Sequence, residues 1–237
     1  MPAMAPGAVG LALAIACCLA PAASAAQPRP LPPIDGTRLG ARRDSLVALA
    51  TTGAVGWWRM SRSPEAAGGW RAVEVLAVED IADLTTLVVT DSALALRRLR
   101  QTGEAWDQPV LVALDVRDGR LTGQATRVGG RGATLHTVDT PVAPLPDLNA
   151  VPLLVLATPW GAGMAGSWRV LDGATGTEVV LAVQVEGLEP ATTASPAAWR
   201  IAIRRDGVAT RYRVSSQPPW RMLGVATDGA PFRLVLP

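Results

Sequence analysis

A single histidine limits the catalytic chemistry open to this chain. His136 is the only imidazole among 237 residues, so any histidine base must be this side chain. It lies in the alternating segment 134–138, where no acidic or nucleophilic partner is identifiable, and the chain has no Gly-x-Ser-x-Gly elbow. The pattern favours a histidine that faces solvent from a strand. We therefore predict that the protein is not an enzyme.

Carboxylates are the next candidates for a catalytic or metal-binding site. Glu79, Asp80 and Asp83 lie close together in sequence. Such a cluster can coordinate calcium or flank a glycosidic bond, but the calcium-loop spacing is absent and acidic turns commonly serve solubility alone. Zinc needs softer ligands, and besides His136 the chain offers only Cys17 and Cys18. We predict no metal site.

The segment Gly161-Ala-Gly163-Met-Ala-Gly166 has the spacing of a dinucleotide-binding loop. In such a loop the glycines let the backbone approach a pyrophosphate at a helix N-terminus. Here residues 167–172 instead have the pattern of a strand that ends in a turn, and no alternation of strands and helices surrounds them. The segment is therefore interpreted as a glycine-rich connection, and no nucleotide cofactor is expected.

Five of the eight tryptophans are followed directly by arginine. Indole and guanidinium groups can line a groove for an anionic lipid, glycan or nucleic acid. In a strand, however, a tryptophan buried in the core is naturally followed by a charged residue in water. The net charge of +2 also argues against a nucleic-acid partner. Packing in the core is favoured, and the five remain candidates for lining a ligand site: Trp58, Trp70, Trp168, Trp199 and Trp220.

The N-terminal 25 residues have the features of a signal peptide. Residues 11–20 form an apolar stretch too short to span a bilayer, and Ala23-Ser24-Ala25 matches a cleavage site. We predict export to the periplasm or the extracellular space, with no transmembrane span after cleavage. Lipid anchoring through Cys17 or Cys18 is the alternative, although the residues before either thiol fit a lipoprotein cleavage box poorly. The prolines of residues 26–43 then predict an extended linker.

Residues 44–237 have the pattern of one β-rich domain. Asp-Gly pairs, which favour tight hairpins, recur at 118–119, 172–173, 206–207 and 228–229. Apolar residues alternate from 199 to 214 and from 179 to 185, and Val73, Val75 and Ala77 are interpreted as the dry face of a strand opposite Glu74. The prediction is a mainly β protein with a single strongly curved antiparallel sheet or a half-open barrel of hairpins.

One segment departs from this alternation. Between 147 and 158 apolar residues occupy almost every position, Asp147 or Asn149 can cap a helix, and Pro152 suits its first turn. We predict one short buried helix there, packed against the concave face of the sheet, although a buried strand could show the same run.

The order of these pieces resembles an exported bacterial family known only as a domain of unknown function, type 3108. The resemblance rests on residues 137–140, on the helix start at 147–150 with its end at 157–160, and on the terminal hairpin at 219–223. It covers about residues 44–237, but residues 195–198 lack the glycine of the turn that the family often has there. It implies a curved antiparallel sheet in an exported protein and transfers no functional residues.

Two classes of function follow from the sequence, with a third behind them. The first is a non-catalytic binding module that holds a lipid or another apolar or amphipathic envelope molecule in the hollow of the sheet. The second is a structural or interaction protein of the cell envelope with a filled core. An uncharacterised hydrolase is the third.

Overall fold

The structure is a computed structural model that describes residues 28–129 and 132–237, so the predicted signal peptide, with Cys17 and Cys18, lies outside the described residues. The fold is mainly β, as the alternating pattern predicts, and its fourteen strands form one antiparallel sheet. The strands are β1 (Arg42–Ala50), β2 (Gly53–Pro64), β3 (Trp70–Val78), β4 (Ala82–Thr90), β5 (Leu96–Ala105), β6 (Gln108–Arg117), β7 (Arg120–Gly129), β8 (Gly132–Pro141), β9 (Ala165–Asp172), β10 (Thr177–Glu189), β11 (Ala198–Arg205), β12 (Val208–Ser215), β13 (Met222–Thr227) and β14 (Arg233–Val235).

The strands run through the sheet as two meanders joined in the middle. Their order is β8-β7-β6-β5-β4-β3-β2-β1-β14-β13-β12-β11-β10-β9. The two halves join where the first strand pairs with the last, with Val47 opposite Val235. Because β8 and β9 each pair on one side only, the sheet is open, with these two strands as its edges.

Tight turns hold consecutive strands together where the sequence predicts them. Asp118 and Gly119 between β6 and β7 both have positive φ, and so do Asp206 and Gly207 between β11 and β12. Two central residues with positive φ form the turn whose twist matches that of the flanking strands. The Asp-Gly pairs therefore fix the register of these hairpins.

Glycines inside two of the strands allow neighbouring backbones to approach closely. Gly123 in β7 has φ +141°, and a Cβ atom there would lie 2.0 Å from the carbonyl oxygen of Ala113. Gly103 in β5, with φ +134°, would clash in the same way with Asp83. Only glycine fits at such positions. The curvature brings the edges towards each other, so that Leu171 of β9 packs into the same cluster as Leu114 of β6.

A short buried helix lies on the concave face, as predicted. A 3-10 turn at Leu148–Ala150 leads into α1 (Val151–Ala157), and the Asp147 carboxylate accepts a hydrogen bond from the backbone NH of Asn149. Residues of α1 pack in one core cluster with residues from β1 to β3 and from β9 to β14. Within the described ranges, no helix is long and apolar enough to cross a membrane.

The segment before β1 packs along the domain, which differs from the extended linker that its prolines predict. Arg29 exchanges backbone hydrogen bonds with Gly163 and Ala165, both at 2.9 Å, and therefore covers one end of the β9 edge. Leu31 and Ile34 contact the core, and Leu39 is fully buried. These apolar residues among and after the prolines supply the packing energy that a free linker lacks.

Candidate ligand cavity

Two cavities lie between the start of α1 and the concave face of the sheet, on either side of Tyr212. The larger, of about 370 Å³, is bounded by Val151, Leu181 and Ile203 as well as Tyr212. The smaller, of about 190 Å³, lies towards β2, β3, β13 and β14, and most of its lining is apolar. Its lining residues are Trp58, Glu74, Leu76, Pro152, Tyr212, Met222, Val225, Thr227, Ala230, Phe232 and Leu234.

Tyr212 forms the wall that the two cavities share. Its side chain projects from β12 into the core, because the alternation along β12 places Tyr212 and Val214 on the inner face. Burial, with a smaller contribution from the charge of Glu74, raises the pKa of its hydroxyl well above the ordinary value. Tyr212 is therefore a neutral phenol at physiological pH, able to donate or accept a hydrogen bond.

Glu74 is the charged residue of the smaller cavity, and the sequence interpretation placed it on the wrong face. The prediction that Val73, Val75 and Ala77 form the dry face of β3 is wrong. Ala72 and Val78, which share a face with Glu74, are buried in the core cluster. The odd-numbered and even-numbered positions of β3 are both largely apolar, so alternation alone cannot show which of them face the core. The pairing with β2 shows that the even-numbered positions do, because Glu74 lies opposite the buried Met60.

The environment of Glu74 disfavours its charged form. Burial raises the pKa of its carboxyl from 4.5 to about 7, and a hydrogen bond from the Trp58 side chain opposes part of that shift. The side chain keeps some accessible surface, and it lines the cavity. A carboxyl whose pKa is raised among apolar walls is an arrangement typical of functional sites.

A short polar row continues from Glu74 across the inner face of the sheet. Thr86 of β4 lies opposite Glu74, and Gln101 of β5 lies opposite Thr86. The Gln101 side-chain amide donates to the Thr86 hydroxyl at 2.9 Å. Neither Thr86 nor Gln101 lines the cavities, and the hydroxyl of Thr227, which lines the smaller one, is bonded to that of Thr210. Glu74 and Tyr212 are therefore the groups placed to meet a molecule in the smaller cavity.

The five candidate tryptophans do not share one cavity. Trp58 lies beside Glu74, whereas Trp199 and Trp220 line a separate cavity of about 140 Å³, where Arg38 stacks 4.0 Å from the Trp220 ring. Trp70 and Trp168 pack against the core cluster. Of the five, Trp58 alone lines the cavities that flank Tyr212.

His136 faces inwards, which differs from the solvent-facing position that the sequence favours. Its Nε2 lies 2.9 Å from the carbonyl oxygen of Ala174, in the turn between β9 and β10, and its Nδ1 is buried without a partner. A carbonyl only accepts, so Nε2 donates. The contact ties the edge strand β8 to that turn.

Asp147 fastens the same turn to the start of the helix. Its carboxylate accepts from the backbone NH of Gly173 at 2.9 Å and from the backbone NH of Asn149 at 2.8 Å. Burial raises the pKa of Asp147 to about 6, and these hydrogen bonds oppose the shift. His136 therefore joins the edge strand β8 to the turn between β9 and β10, and Asp147 joins that turn to the start of the helix.

The acidic cluster at 79–83 and the glycine-rich segment at 161–166 are the remaining motifs from the sequence. Glu79, Asp80 and Asp83 line an open cleft of about 490 Å³ at the turns after β3 and β5. In residues 28–129 and 132–237, no three side chains of histidine, cysteine, aspartate or glutamate are arranged to hold a metal ion. The glycines at 161–166 lead into strand β9, as predicted, so no helix N-terminus follows them to bind a pyrophosphate.

Comparison with known proteins adds no further constraint. No protein-family model matches the chain, and neither a curated protein nor a solved structure matches it. The geometry of the cavities around Tyr212 therefore carries the functional assignment.

Proposed function

We propose that this protein is a non-catalytic binding module that holds an apolar or amphipathic small molecule between α1 and the concave face of the sheet. The observation that carries the proposal is the pair of cavities that flank Tyr212. The larger, at about 370 Å³, falls within the range of small-molecule sites, and both have mainly apolar linings with few polar groups.

The lining of these cavities favours a ligand site over a filled core. Both cavities are open to solvent, and the surface that each presents is mainly apolar. Apolar surface in a concave, solvent-open space is removed from water when an apolar molecule binds there. This gain in hydrophobic free energy supports the binding function.

A structural or interaction protein of the cell envelope is the second candidate, and one observation favours it. Leu135 on the edge strand β8 is 52% exposed, and Val180 on β10 is 59% exposed. An unpaired edge with an exposed apolar residue can add a strand from another protein. Val180, however, lies on β10, which pairs with a strand on each side, so of the two residues only Leu135 lies on an open edge.

A hydrolase is the third candidate, and the position of His136 supports it least. Nε2 donates to the carbonyl of Ala174, which leaves Nδ1 as the acceptor nitrogen, and that atom is buried. A general base must reach the proton that it removes. His136 in this position therefore acts as a structural link.

Export remains part of the proposal and rests on the sequence alone. The features of residues 1–25, and the resemblance to an exported family of unknown function, support a protein of the periplasm or extracellular space. Lipid attachment at Cys17 or Cys18 is the alternative. N-terminal sequencing of the mature protein tests both: a chain that begins near residue 26 supports cleavage, and one that begins at a modified cysteine supports the anchor.

The binding function predicts that filling the smaller cavity blocks an apolar probe. Leu76 lines this cavity, whereas its neighbour Val75 lies on the outer face of β3. We expect wild-type protein to enhance the fluorescence of N-phenyl-1-naphthylamine, with a Kd that Leu76→Trp weakens at least about tenfold. Val75→Trp is the matched control and is expected to bind as wild type does. Absence of probe binding by the wild type, or equal binding by both variants, contradicts the proposed site.

A further inference from the structure

We propose that the smaller cavity selects an amphiphile whose polar end is a protonated amine, held by the carboxylate of Glu74. This inference rests on the proposed binding function and specifies its ligand class. It follows from the position of one acidic group in an otherwise apolar cavity, and from the absence of basic groups among the described residues that line it.

Glu74 is placed to meet a ligand because its strand neighbours leave it few partners. On one side of Glu74 lies Met60, which is apolar, and on the other lies Thr86, whose hydroxyl can donate at most one hydrogen bond. The Trp58 side chain lines the cavity with Glu74 and favours the charged form of its carboxyl. A carboxylate has two oxygens and about four acceptor sites, so acceptor capacity remains for a donor that enters the cavity.

The other groups that face Glu74 are neutral. Tyr212 of β12 is the only other titratable side chain among the described residues lining the cavity, and its burial keeps it protonated. The helix, β2, β13 and β14 contribute Pro152, Trp58, Met222 and Leu234, none of which carries a charge. An anionic headgroup would therefore meet a like charge and no cation, whereas an ammonium group meets an unpaired carboxylate.

Arg205 does not change this balance. It lines the larger cavity, on the other side of Tyr212, and it is bound to two carboxylates. Its guanidinium lies 3.2 Å from Asp172 and 3.3 Å from Asp206. With its charge compensated, Arg205 offers little attraction to an anion.

The apolar walls specify the rest of the ligand. Leu76, Met222, Val225 and Phe232 surround the space next to Glu74 and suit a hydrocarbon chain or a small ring system. An ammonium bound in such a place forms a charge-assisted hydrogen bond that water competes for poorly. The predicted ligand therefore combines a hydrocarbon body with one amine and no phosphate or carboxylate nearby.

Calorimetric titration with three probes of equal chain length tests this selectivity. Octylamine, 1-octanol and octanoate are titrated into wild-type protein, Glu74→Gln and the control Glu79→Gln, at about pH 5.5 and about pH 8. Glu79 is an exposed acid outside the cavity. Circular dichroism establishes that each variant is folded.

We expect the wild type and Glu79→Gln to bind octylamine at least about tenfold more tightly than 1-octanol at pH 8, and octanoate most weakly. Glu74→Gln is expected to remove the preference for the amine while retaining the alcohol. In wild-type protein the preference should increase from pH 5.5 to pH 8, because octylamine stays protonated while Glu74 ionises. This pH comparison needs no variant to fold.

Two negative outcomes have different meanings. If octylamine and 1-octanol bind equally well at both pH values, the amine selectivity is wrong and the apolar cavity stands. If neither probe binds to wild-type protein, the proposed binding function is wrong, and the selectivity with it.

Discussion

Replacing Arg62 with methionine is expected to lower the free energy of unfolding by about 3 kcal/mol. Arg62 and Asp44 form an ion pair at 2.5 Å on the inner face of β1 and β2, and both side chains are almost fully buried. Arg62 also donates to the carbonyl oxygen of Trp220 at 2.7 Å. Methionine preserves much of the packing volume but leaves the Asp44 carboxylate buried without its closest partner.

The expected decrease in the free energy of unfolding depends on which charged groups remain near Asp44 in the variant. Removing one member of a buried pair costs about 3 to 5 kcal/mol, because an uncompensated charge stays in the interior. Arg42 at 3.5 Å and Arg221 at 3.9 Å still interact with Asp44, which favours the lower end of that range. Urea denaturation followed by circular dichroism at neutral pH measures the difference.

Arg120→Met is the matched control for this substitution. Arg120 pairs with Asp139 at 2.6 Å, but both side chains are about half exposed, so the loss should not exceed about 1 kcal/mol. Combining Arg62→Met with Asp44→Leu should recover most of the stability, because no charge is then left buried. Equal losses for Arg62→Met and Arg120→Met would show that the buried pair does not stabilise the fold in this way.

Glu74→Gln is expected to change how stability depends on pH. A carboxyl whose pKa is raised on folding does not lower the free energy of unfolding below its unfolded pKa of 4.5. Above that pH it lowers the free energy of unfolding progressively, until the pH passes its folded pKa of about 7. Wild-type protein should therefore lose stability between about pH 4.5 and pH 7, and the glutamine variant should lack this loss. Above pH 7 we expect the variant to be the more stable by up to about 3 kcal/mol.

The difference between the two unfolding curves isolates Glu74. Asp147 also has a raised pKa, and it contributes equally to wild type and variant, so it cancels. Glu178→Gln is a control of opposite sign, because the hydrogen bonds from Arg169 lower the pKa of Glu178. Its side chain contributes stability that is lost on acidification. A Glu74→Gln curve parallel to that of the wild type from pH 5 to pH 8 would rule out a charge-disfavouring cavity.

Much of the fold could be predicted because several local signals agree. Residues 199–214 alternate on both sides of Asp206-Gly207, and the structure pairs them as β11 and β12 with Ile201 and Tyr212 inward. The helix was predictable for a similar reason, since a cap at Asp147 and a proline in the first turn precede an apolar run. Local sequence signals could not predict the pairing of β1 with β14, because it joins residues nearly 200 positions apart.

The site was harder to predict, because it depends on contacts between distant segments. Val73 and Val75 are more hydrophobic than Ala72, so the local pattern favours the wrong face for Glu74, and only Met60 on the neighbouring strand corrects it. The cavities are spaces left between α1 and the sheet, and no residue pattern encodes where a helix packs. The tryptophans were visible in the sequence, but Trp58 alone of the five lies at these cavities.

The most direct test of a ligand cavity around Tyr212 uses the methionine methyl groups. Met222 is buried and lines the smaller cavity, whereas Met164 precedes β9 and lines neither. In protein labelled with carbon-13 at methionine methyls, and assigned with Met222→Leu, titration with 1-octanol is predicted to shift the Met222 signal in a saturable way and to leave Met164 unchanged. A Met222 signal that does not move at saturating alcohol, or that moves only together with Met164, would contradict the cavity as the binding site.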